Sequence, residues 1–302
     1  MRFEGSITAL ATPFTADGAL DLRAWRQLLE NQLAGGSAAV VVAGSTGEAA
    51  ALDDGEYDTL LAEAVRILDG RIGVVAGTGL SSTAKTIAQT RRAAALGAQA
   101  ALVVTPPYVR PTQAGLIAHY RAVADHGGLP VVLYNVPGRT GVDLQPDTVA
   151  ALVGHPAIVG LKEARGDAGR WQALAPLASA SFALLSGDDP SFVMAMRHGA
   201  AGVVSVASNL VPAAFACIVA DAAAARWDAA GARDASLRPL YEFLGAAPNP
   251  IPLKAVLRAQ GLGADLRLPL LPLEAPLADR VGAMLDLVAR VEAAAFADRH
   301  PV

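Results

Sequence analysis

One lysine stands where an apolar segment ends. Lys162 follows the run Pro-Ala-Ile-Val-Gly-Leu at residues 156–161, so a strand there would leave its amine among buried side chains. Removal from water disfavours the ammonium form, and a neutral amine can attack a ketone to form a Schiff base. A lysine at a strand end can also pair with a neighbouring carboxylate, here Glu163, or reach solvent. Lys162 is therefore a candidate nucleophile, and its surroundings decide between these roles.

Two tyrosines occupy comparable places. Tyr134 ends the apolar run 131–133, and Tyr108 follows Thr-Pro-Pro at 105–107. A phenol can pass a proton to and from a carbinolamine and can polarise a carbonyl group. A tyrosine at a strand end can instead be a packing residue with a hydrogen-bonded hydroxyl. Taken alone, neither tyrosine defines a function.

Two segments are candidate anion binders. Residues 44–47 read Gly-Ser-Thr-Gly between an apolar run and a helical pattern, so their amides and hydroxyls can receive an anion at a helix N-terminus. No P-loop lysine follows, which favours a small carboxylate over a polyphosphate; a turn that only caps the next helix is the alternative. Arg139, on the Pro-Gly turn at 137–138, can engage an oxoacid with two hydrogen bonds or remain solvated.

Other chemistries are disfavoured by what the sequence lacks. The five histidines show no metal-ligand spacing, and Cys217 is the one cysteine, so no metal site is expected. The Gly-x-Ser-x-Gly elbow of serine hydrolases is absent as well. Carbonyl chemistry through a lysine is what remains.

The elements that must position these residues alternate between strands and helices. Eight short apolar runs begin about 20 to 34 residues apart, with helical spacing between them, at 6–10, 38–43, 72–76, 100–104, 130–135, 158–162, 181–185 and 202–206. Runs that are apolar on both faces indicate parallel strands covered on both sides. An α/β fold with eight of them predicts a closed (β/α)8 TIM barrel. An open doubly wound sheet is the competitor, but residues 77–82 lack the third glycine of a dinucleotide-binding turn.

The barrel is predicted to occupy residues 1–230. Helical spacing without further strand signals continues around 237–244, 252–259 and 277–295, which predicts a C-terminal helical extension over 231–302. In such barrels, function collects at the C-terminal ends of the strands. Besides the residues already named, polar side chains at those ends are Thr8, Thr12, Glu48, Thr78, Thr105, Asn135, Ser186, Asp188, Asp189 and Ser205.

Composition excludes several partners. Of the 302 residues, 53% are hydrophobic and 17% charged, where about 25% charged is usual, so surface buried between subunits is expected. The formal charge is −4 and no segment concentrates Lys or Arg, which argues against a nucleic-acid partner. No segment is apolar enough to predict a membrane partner. A single cysteine fits a reducing compartment, and a cytoplasmic location is expected.

Three longer segments carry a family resemblance. Residues 5–14, 249–254 and 268–273, together with Gly-Leu-Lys-Glu-Ala at 160–164, resemble the pyruvate-dependent class I aldolases and synthases that include N-acetylneuraminate lyase and dihydrodipicolinate synthase. The resemblance implies that Lys162 is the Schiff-base lysine, with no other cofactor, and that Tyr134 donates and accepts protons. It also implies that Thr46 binds the carboxylate of pyruvate, and that Gly187 and the backbone at Val204 line the same pocket.

The resemblance further implies an oligomer. In the synthases of this family a hydroxyl relay runs from the tyrosine at position 134 through the residue at position 45 to a tyrosine at position 108 of a neighbouring subunit. Ser45 and Tyr108 match these places. A homodimer or homotetramer is therefore expected.

Substrate choice depends on fewer residues. Val-Pro-Gly-Arg-Thr-Gly at 136–141 is similar to the synthase signature, in which the arginine, here Arg139, holds the carboxylate of the aldehyde. The expected reaction is condensation of pyruvate with L-aspartate 4-semialdehyde to 4-hydroxy-tetrahydrodipicolinate, in lysine and diaminopimelate biosynthesis. Ser45, Pro107 and Val109 depart from the synthase pattern, so a pyruvate lyase or 2-oxo-acid aldolase acting on a sugar acid is the alternative. A barrel that only binds a small oxoacid would not need an imine-forming amine.

A regulatory pocket is also testable by resemblance. Lysine-sensitive synthases bind lysine at a dimer interface through a serine, two histidines, an asparagine, a glutamate and a tyrosine. The matching positions here are Ala49, Asp54, Tyr57, Ser81, Lys85 and Pro107. All six differ, which predicts that this chain does not respond to lysine.

Overall fold

The computed structural model describes residues 3–299 and contains a closed barrel of eight parallel strands. The strands are β1 (Gly5–Ala9), β2 (Ala39–Val42), β3 (Gly73–Gly77), β4 (Ala100–Val104), β5 (Val131–Asn135), β6 (Ile158–Glu163), β7 (Ala183–Ser186) and β8 (Gly202–Ser205). Each pairs with the next along the chain, and β8 pairs with β1, where Ser6 lies opposite Val203. The predicted (β/α)8 barrel is confirmed, and every predicted strand lies within two residues of an observed one.

Helices follow the strands as the spacing of apolar residues predicts. The bounds are α1 (Leu22–Gly35), α2 (Asp54–Leu68), α3 (Thr83–Ala95), α4 (Gln113–His126), α5 (Pro137–Thr140), α6 (Pro146–Val153), α7 (Ala168–Leu174), α8 (Phe192–Arg197), α9 (Pro212–Ala223), α10 (Trp227–Ser236), α11 (Arg238–Gly245), α12 (Ile251–Ala259) and α13 (Val281–Arg299). Helix α1 is typical: Asp21 caps it, and Trp25, Leu28 and Leu29 form its buried face. None of the helices in residues 3–299 is long and apolar enough to cross a membrane.

The strands separate two apolar layers because their side chains alternate in direction. On β5, Val132 and Tyr134 belong to the cluster inside the barrel, whereas Val131 and Leu133 join the larger core between strands and helices. The same alternation on β6 turns Lys162 and Glu163 to opposite sides. A residue's place along its strand thus decides whether it can contribute to the barrel mouth.

The C-terminal helices follow the barrel as predicted. Helix α13 packs on α9, where the Glu292 carboxylate accepts the amides of Ala213 and Ala214 at 2.8 and 3.1 Å. Between α12 and α13, the segment 262–270 attaches to the loops after β1 and β2: Ala264 N donates to Phe14 O at 2.7 Å, and Arg267 Nη1 to Ala51 O at 2.8 Å. This segment therefore lies at the end of the barrel where a site is expected. The division between residues 230 and 231 falls within α10 and stays a prediction.

Candidate active site

Lys162 and Tyr134 face each other inside the barrel. They are register partners on β6 and β5, and the Lys162 Nζ lies 4.2 Å from the centre of the Tyr134 ring. Lys162 is only 5% exposed, and its Nζ makes no hydrogen bond to any group in residues 3–299. The side chain is thus largely buried and its amine is not paired with a carboxylate, so the Nζ is available to attack a carbonyl group.

Gly187 leaves the space through which Lys162 extends. A Cβ at position 187 would lie 2.7 Å from Lys162 Cε and 3.1 Å from Cγ. Even an alanine would therefore displace the lysine side chain. Val204, on β8, belongs to the same interior apolar cluster as Tyr134 and is almost fully buried. Gly187 thus lies against the Lys162 side chain, whereas the role of Val204 in a pyruvate pocket stays a prediction.

The segment 44–47 forms a turn with free amides, but not at the N-terminus of α2. A short 3-10 helix, Ala49–Ala51, follows it, and α2 begins later with its own capping box at Asp53. The turn therefore leads into a 3-10 helix and not directly into α2, and the anion site at this helix N-terminus stays a prediction. Within residues 3–299, however, the amides of Ser45 and Thr46 donate to no protein group. Two adjacent unpaired amides can receive one carboxylate without a helix.

Arg139 projects from the short helix α5 toward the C-terminal extension. Its Nη2 donates to Asn249 O at 2.9 Å, and Asn249 Nδ2 donates to Thr46 Oγ1 at 3.0 Å. Asn249 thus connects the arginine to the 44–47 turn. Asn249 lies within the segment 249–254 that carries the family resemblance, but its residue type and place in the sequence predict no role for it.

One cleft of about 600 Å³ is lined by three of the predicted site residues, Ser45, Tyr134 and Arg139, together with Asn249, and much of the remainder is apolar. Lys162, Thr46, Gly187 and Val204 are not among its lining residues; Lys162 lies next to it, against the Tyr134 ring. The cleft is large enough for two small acids and offers separate polar groups to each.

Tyr108 is a predicted site residue whose side chain lies outside this cleft in its own chain. It is 92% exposed, has a left-handed φ of 73°, and does not line the cleft of its own chain. Its amide donates to Thr140 O at 3.3 Å, which holds the loop while the ring points outward. The structure therefore does not bring Tyr108 to Tyr134 within one chain.

Most other polar groups at the strand ends have structural partners. Thr8 Oγ1 bonds to Gln32 and Ser208, Thr105 Oγ1 donates to Thr140, and Ser205 Oγ accepts the amide of Ser208. Glu163 does not pair with Lys162, because its carboxylate points outward to Asn135 and Arg170 at 2.7–3.0 Å. The interpretation of Lys162 as half of an ion pair with Glu163 is thereby ruled out.

Metal chemistry finds no support in the described residues. Among residues 3–299 no group of three or more His, Cys, Asp or Glu side chains is arranged to hold a metal ion. Lys162 and Tyr134, near a turn with two unpaired amides, are groups that can support imine chemistry. The chain is a (β/α)8-barrel enzyme with such a candidate site.

Comparisons with known proteins identify the family. Residues 2–287 match the Dihydrodipicolinate synthetase family, and the chain belongs to that family. The 4-hydroxy-tetrahydrodipicolinate synthase of Stenotrophomonas maltophilia strain R551-3 is 65% identical over 284 residues, covering 93% of this chain and 96% of that protein.

Two solved structures are similar over almost the whole chain. The dihydrodipicolinate synthase of Acinetobacter baumannii complexed with pyruvate is 40% identical, with a TM-score of 0.93 and coverage of 95% and 99% of the two chains. The corresponding enzyme from Cyanidioschyzon merolae, solved with lysine bound, is 34% identical, with a TM-score of 0.91 and coverage of 95% and 98%.

Proposed function

We propose that this enzyme condenses pyruvate with L-aspartate 4-semialdehyde to give 4-hydroxy-tetrahydrodipicolinate and water. The observation that carries the proposal is the buried, unpaired amine of Lys162 against the Tyr134 ring. The activity printed for the relative at 65% identity supports the choice of reaction. A place in lysine and diaminopimelate biosynthesis follows from the product.

Pyruvate binding and imine formation would use the inner groups. The pyruvate carboxylate is received by the free amides at Ser45 and Thr46, which sets its ketone toward Lys162. The Nζ attacks C2 to give a carbinolamine, and Tyr134 delivers a proton to the leaving hydroxyl as water departs. The product of these steps is an imine between C2 and Lys162.

Carbon–carbon bond formation would use the outer groups. Tyr134, now a phenolate, takes a methyl proton and converts the imine to an enamine. The terminal carbon of the enamine attacks the aldehyde carbon of the second substrate, and the aldehyde oxygen takes the proton from Tyr134. The amino group of that substrate then attacks C2, closes the ring and releases Lys162. Arg139 supports the choice of a carboxylate-bearing aldehyde, since its guanidinium lines the cleft on a short rigid helix.

A dimer supplies the missing tyrosine in this proposal. Tyr108 would enter the cleft of a neighbouring subunit and, through Ser45, exchange protons with Tyr134. This role is supported by the outward direction of the Tyr108 ring and by the neighbouring apolar Val109 side chain, which is 54% exposed. We propose a homodimer or homotetramer in the cytoplasm, with residues 1–230 as barrel and 231–302 as extension.

Trapping tests the proposed function. Pyruvate followed by borohydride should add one pyruvate-derived mass at Lys162 and inactivate the enzyme. The other lysines, Lys85 and Lys254, serve as internal controls and should stay unmodified. Labelling elsewhere, or none, would contradict the mechanism. The same preparation should turn over aspartate semialdehyde in preference to sugar-derived aldehydes; the reverse preference would favour a sugar-acid lyase.

A further inference from the structure

Glu48 is a buried carboxylate at the end of the turn that carries Ser45 and Thr46. Its φ of 51° lies in the left-handed region, which residues other than glycine rarely adopt. In this conformation Glu48 N donates to Ser45 O at 3.2 Å, and Gly47 N to Gly44 O at 3.1 Å. The position of the Glu48 side chain is therefore coupled to the shape of the turn.

The partners of this carboxylate both come from the C-terminal extension. Lys254 Nζ, on α12, lies 2.6 Å from Glu48 Oε1, and Arg267 N donates to Oε2 at 3.0 Å. The side chains of Lys254 and Glu48 are 5% and 2% exposed. A buried ion pair is intact only while both members are present, because removing one leaves an uncompensated charge.

The pair is enclosed by other fixed groups. The Lys254 Nζ lies 4.2 Å from the centre of the Phe14 ring, and the Arg267 guanidinium lies 4.1 Å from it. Arg267 in turn pairs with Glu56 near the start of α2. Burial lowers the pKa of Lys254, and the neighbouring Glu48 carboxylate acts in the opposite direction. The positive charges of Lys254 and Arg267 thus compensate the negative charges of Glu48 and Glu56 only when all four groups are present.

A second contact holds the turn from the same side. Asn249, just before α12, donates to Thr46 Oγ1 at 3.0 Å, while Lys254 within α12 binds Glu48. The extension therefore contacts the turn at positions 46 and 48, on either side of Gly47. Thr12 Oγ1 donates to Gly47 O at 2.7 Å and fixes the remaining residue.

We propose that Glu48 and Lys254 are positioning residues for the pyruvate carboxylate: their buried ion pair holds the Ser45–Thr46 amides in the geometry that receives it. This inference rests on the proposed function and deepens it. It makes the C-terminal extension part of the pyruvate site, although Lys254 itself does not line the cleft. Loss of the pair should therefore weaken pyruvate binding and leave turnover nearly unchanged, because neither Glu48 nor Lys254 takes part in the imine chemistry of Lys162 and Tyr134.

The test compares pyruvate dependence in K254M and E48Q with that of the wild-type enzyme. Initial rates are measured against pyruvate, and borohydride trapping at Lys162 is titrated with pyruvate alone. We expect half-saturating pyruvate to rise about tenfold or more in K254M in both assays, with kcat within about threefold of wild type. The double variant E48Q/K254M should recover part of this loss, since it buries no unpaired charge.

Arg258→Met is the matched control, because Arg258 lies on the same helix but its ion pair with Asp265 is half exposed. It should leave half-saturating pyruvate unchanged.

A general loss of folded enzyme would lower kcat and leave the half-saturating pyruvate concentration unchanged, so that pattern in K254M would overturn the inference. E48Q, which keeps an acceptor for Arg267 N, gives the answer if K254M does not fold. Normal trapping of Lys162 with wild-type pyruvate dependence in E48Q would also overturn it, while the proposed function stands. Absence of trapping in the wild-type enzyme would overturn both.

Discussion

Lys162 and Glu163 are consecutive residues at the end of β6, yet they lie in opposite electrostatic settings. The Glu163 carboxylate, on the outer side, accepts hydrogen bonds from Asn135 Nδ2 at 3.0 Å, Arg165 N at 2.9 Å and Arg170 Nε at 2.7 Å. The Lys162 amine, on the inner side, lies against the Tyr134 ring. One residue of strand alternation separates a carboxylate with three hydrogen-bond donors from an amine with no hydrogen-bond partner among residues 3–299.

This difference distinguishes structural from functional polar groups at a barrel mouth. Burying a polar group costs free energy unless it is hydrogen-bonded, so most such groups acquire partners during folding. Thr8, Thr105 and Ser205 follow that rule on the outer side. A group left without a partner inside the mouth retains its capacity to bond to a substrate. Three substitutions and one ligand test sharpen this comparison.

Tyr134→Phe should have the largest effect on turnover. The change removes one hydroxyl from the inner side and keeps the ring that contacts Lys162. Loss of a proton-transfer group slows reactions by about 10²- to 10⁴-fold, and we expect kcat to fall by that much. Steady-state kinetics measure the fall, and circular dichroism should show an unchanged fold. A kcat within about threefold of wild type would contradict a proton-transfer role.

Arg170→Met tests the outer side, where stability should fall. The arginine side chain is 4% exposed and pairs with Glu163, which is fully buried. Breaking a buried pair typically costs about 3–5 kcal/mol, measured here as the free energy of unfolding in denaturant. Arg66→Met, which removes an exposed pair with Glu63, is the control and should cost less than about 1 kcal/mol.

The pH dependence of that loss has a defined sign. Burial raises the pKa of Glu163, and Arg170 acts against it, so removing Arg170 raises the pKa further. A folded-state pKa above the unfolded value favours the folded state at low pH and loses that contribution as pH rises through the folded value. The Arg170→Met variant should therefore lose less stability near about pH 5 than near about pH 8. Equal losses at both pH values would mean that removing Arg170 does not change the protonation of Glu163 in this range.

The sequence predicts the barrel better than it predicts the site. Eight apolar runs identify all eight strands, because strands covered on both faces must be apolar on both. For the same reason their register is hidden: nothing in Gly-Ser-Ile-Thr-Ala distinguishes an inward residue from an outward one. The sequence therefore places Thr8 and Lys162 together among the polar residues at strand ends, whereas the Thr8 side chain lies outside the barrel and bonds to Gln32. The pairing of Glu48 with Lys254 is hidden from the sequence because 206 residues separate them. One signal for it is a lysine within the otherwise apolar run 251–257.

Arg139→Ala should have a smaller and more selective effect. The guanidinium lines the cleft and is exposed, so its loss should leave stability and the imine chemistry unchanged. We expect the KM for aspartate semialdehyde to rise about tenfold or more, with little change in the KM for pyruvate. Steady-state kinetics with each substrate varied in turn check this. If neither KM moves, Arg139 does not select the aldehyde, and the sugar-acid alternative gains support.

The smallest expected effect is none at all: millimolar L-lysine should leave the initial rate unchanged. Three of the six residues at the matching pocket already bond to other groups of the protein. Ser81 Oγ donates to Pro107 O at 2.9 Å, the buried Tyr57 hydroxyl donates to Gly77 O at 3.2 Å, and Asp54 pairs with Arg92 at 2.6 Å.

Lys85 adds repulsion where sensitive relatives offer a carboxylate. At ~4 Å and an effective dielectric of ~20, two like charges repel by about 4 kcal/mol, an upper bound because the exposed Lys85 side chain can turn into solvent. Half of that weakens binding by more than about tenfold. Asp54 does not offset the repulsion, since Arg92 already neutralises it. Initial rates with and without L-lysine measure the outcome, with D-lysine as control for ionic strength. Partial inhibition by the L form, with lysine seen beside Lys85 in a crystal structure, would show that the internal bonds yield to the ligand.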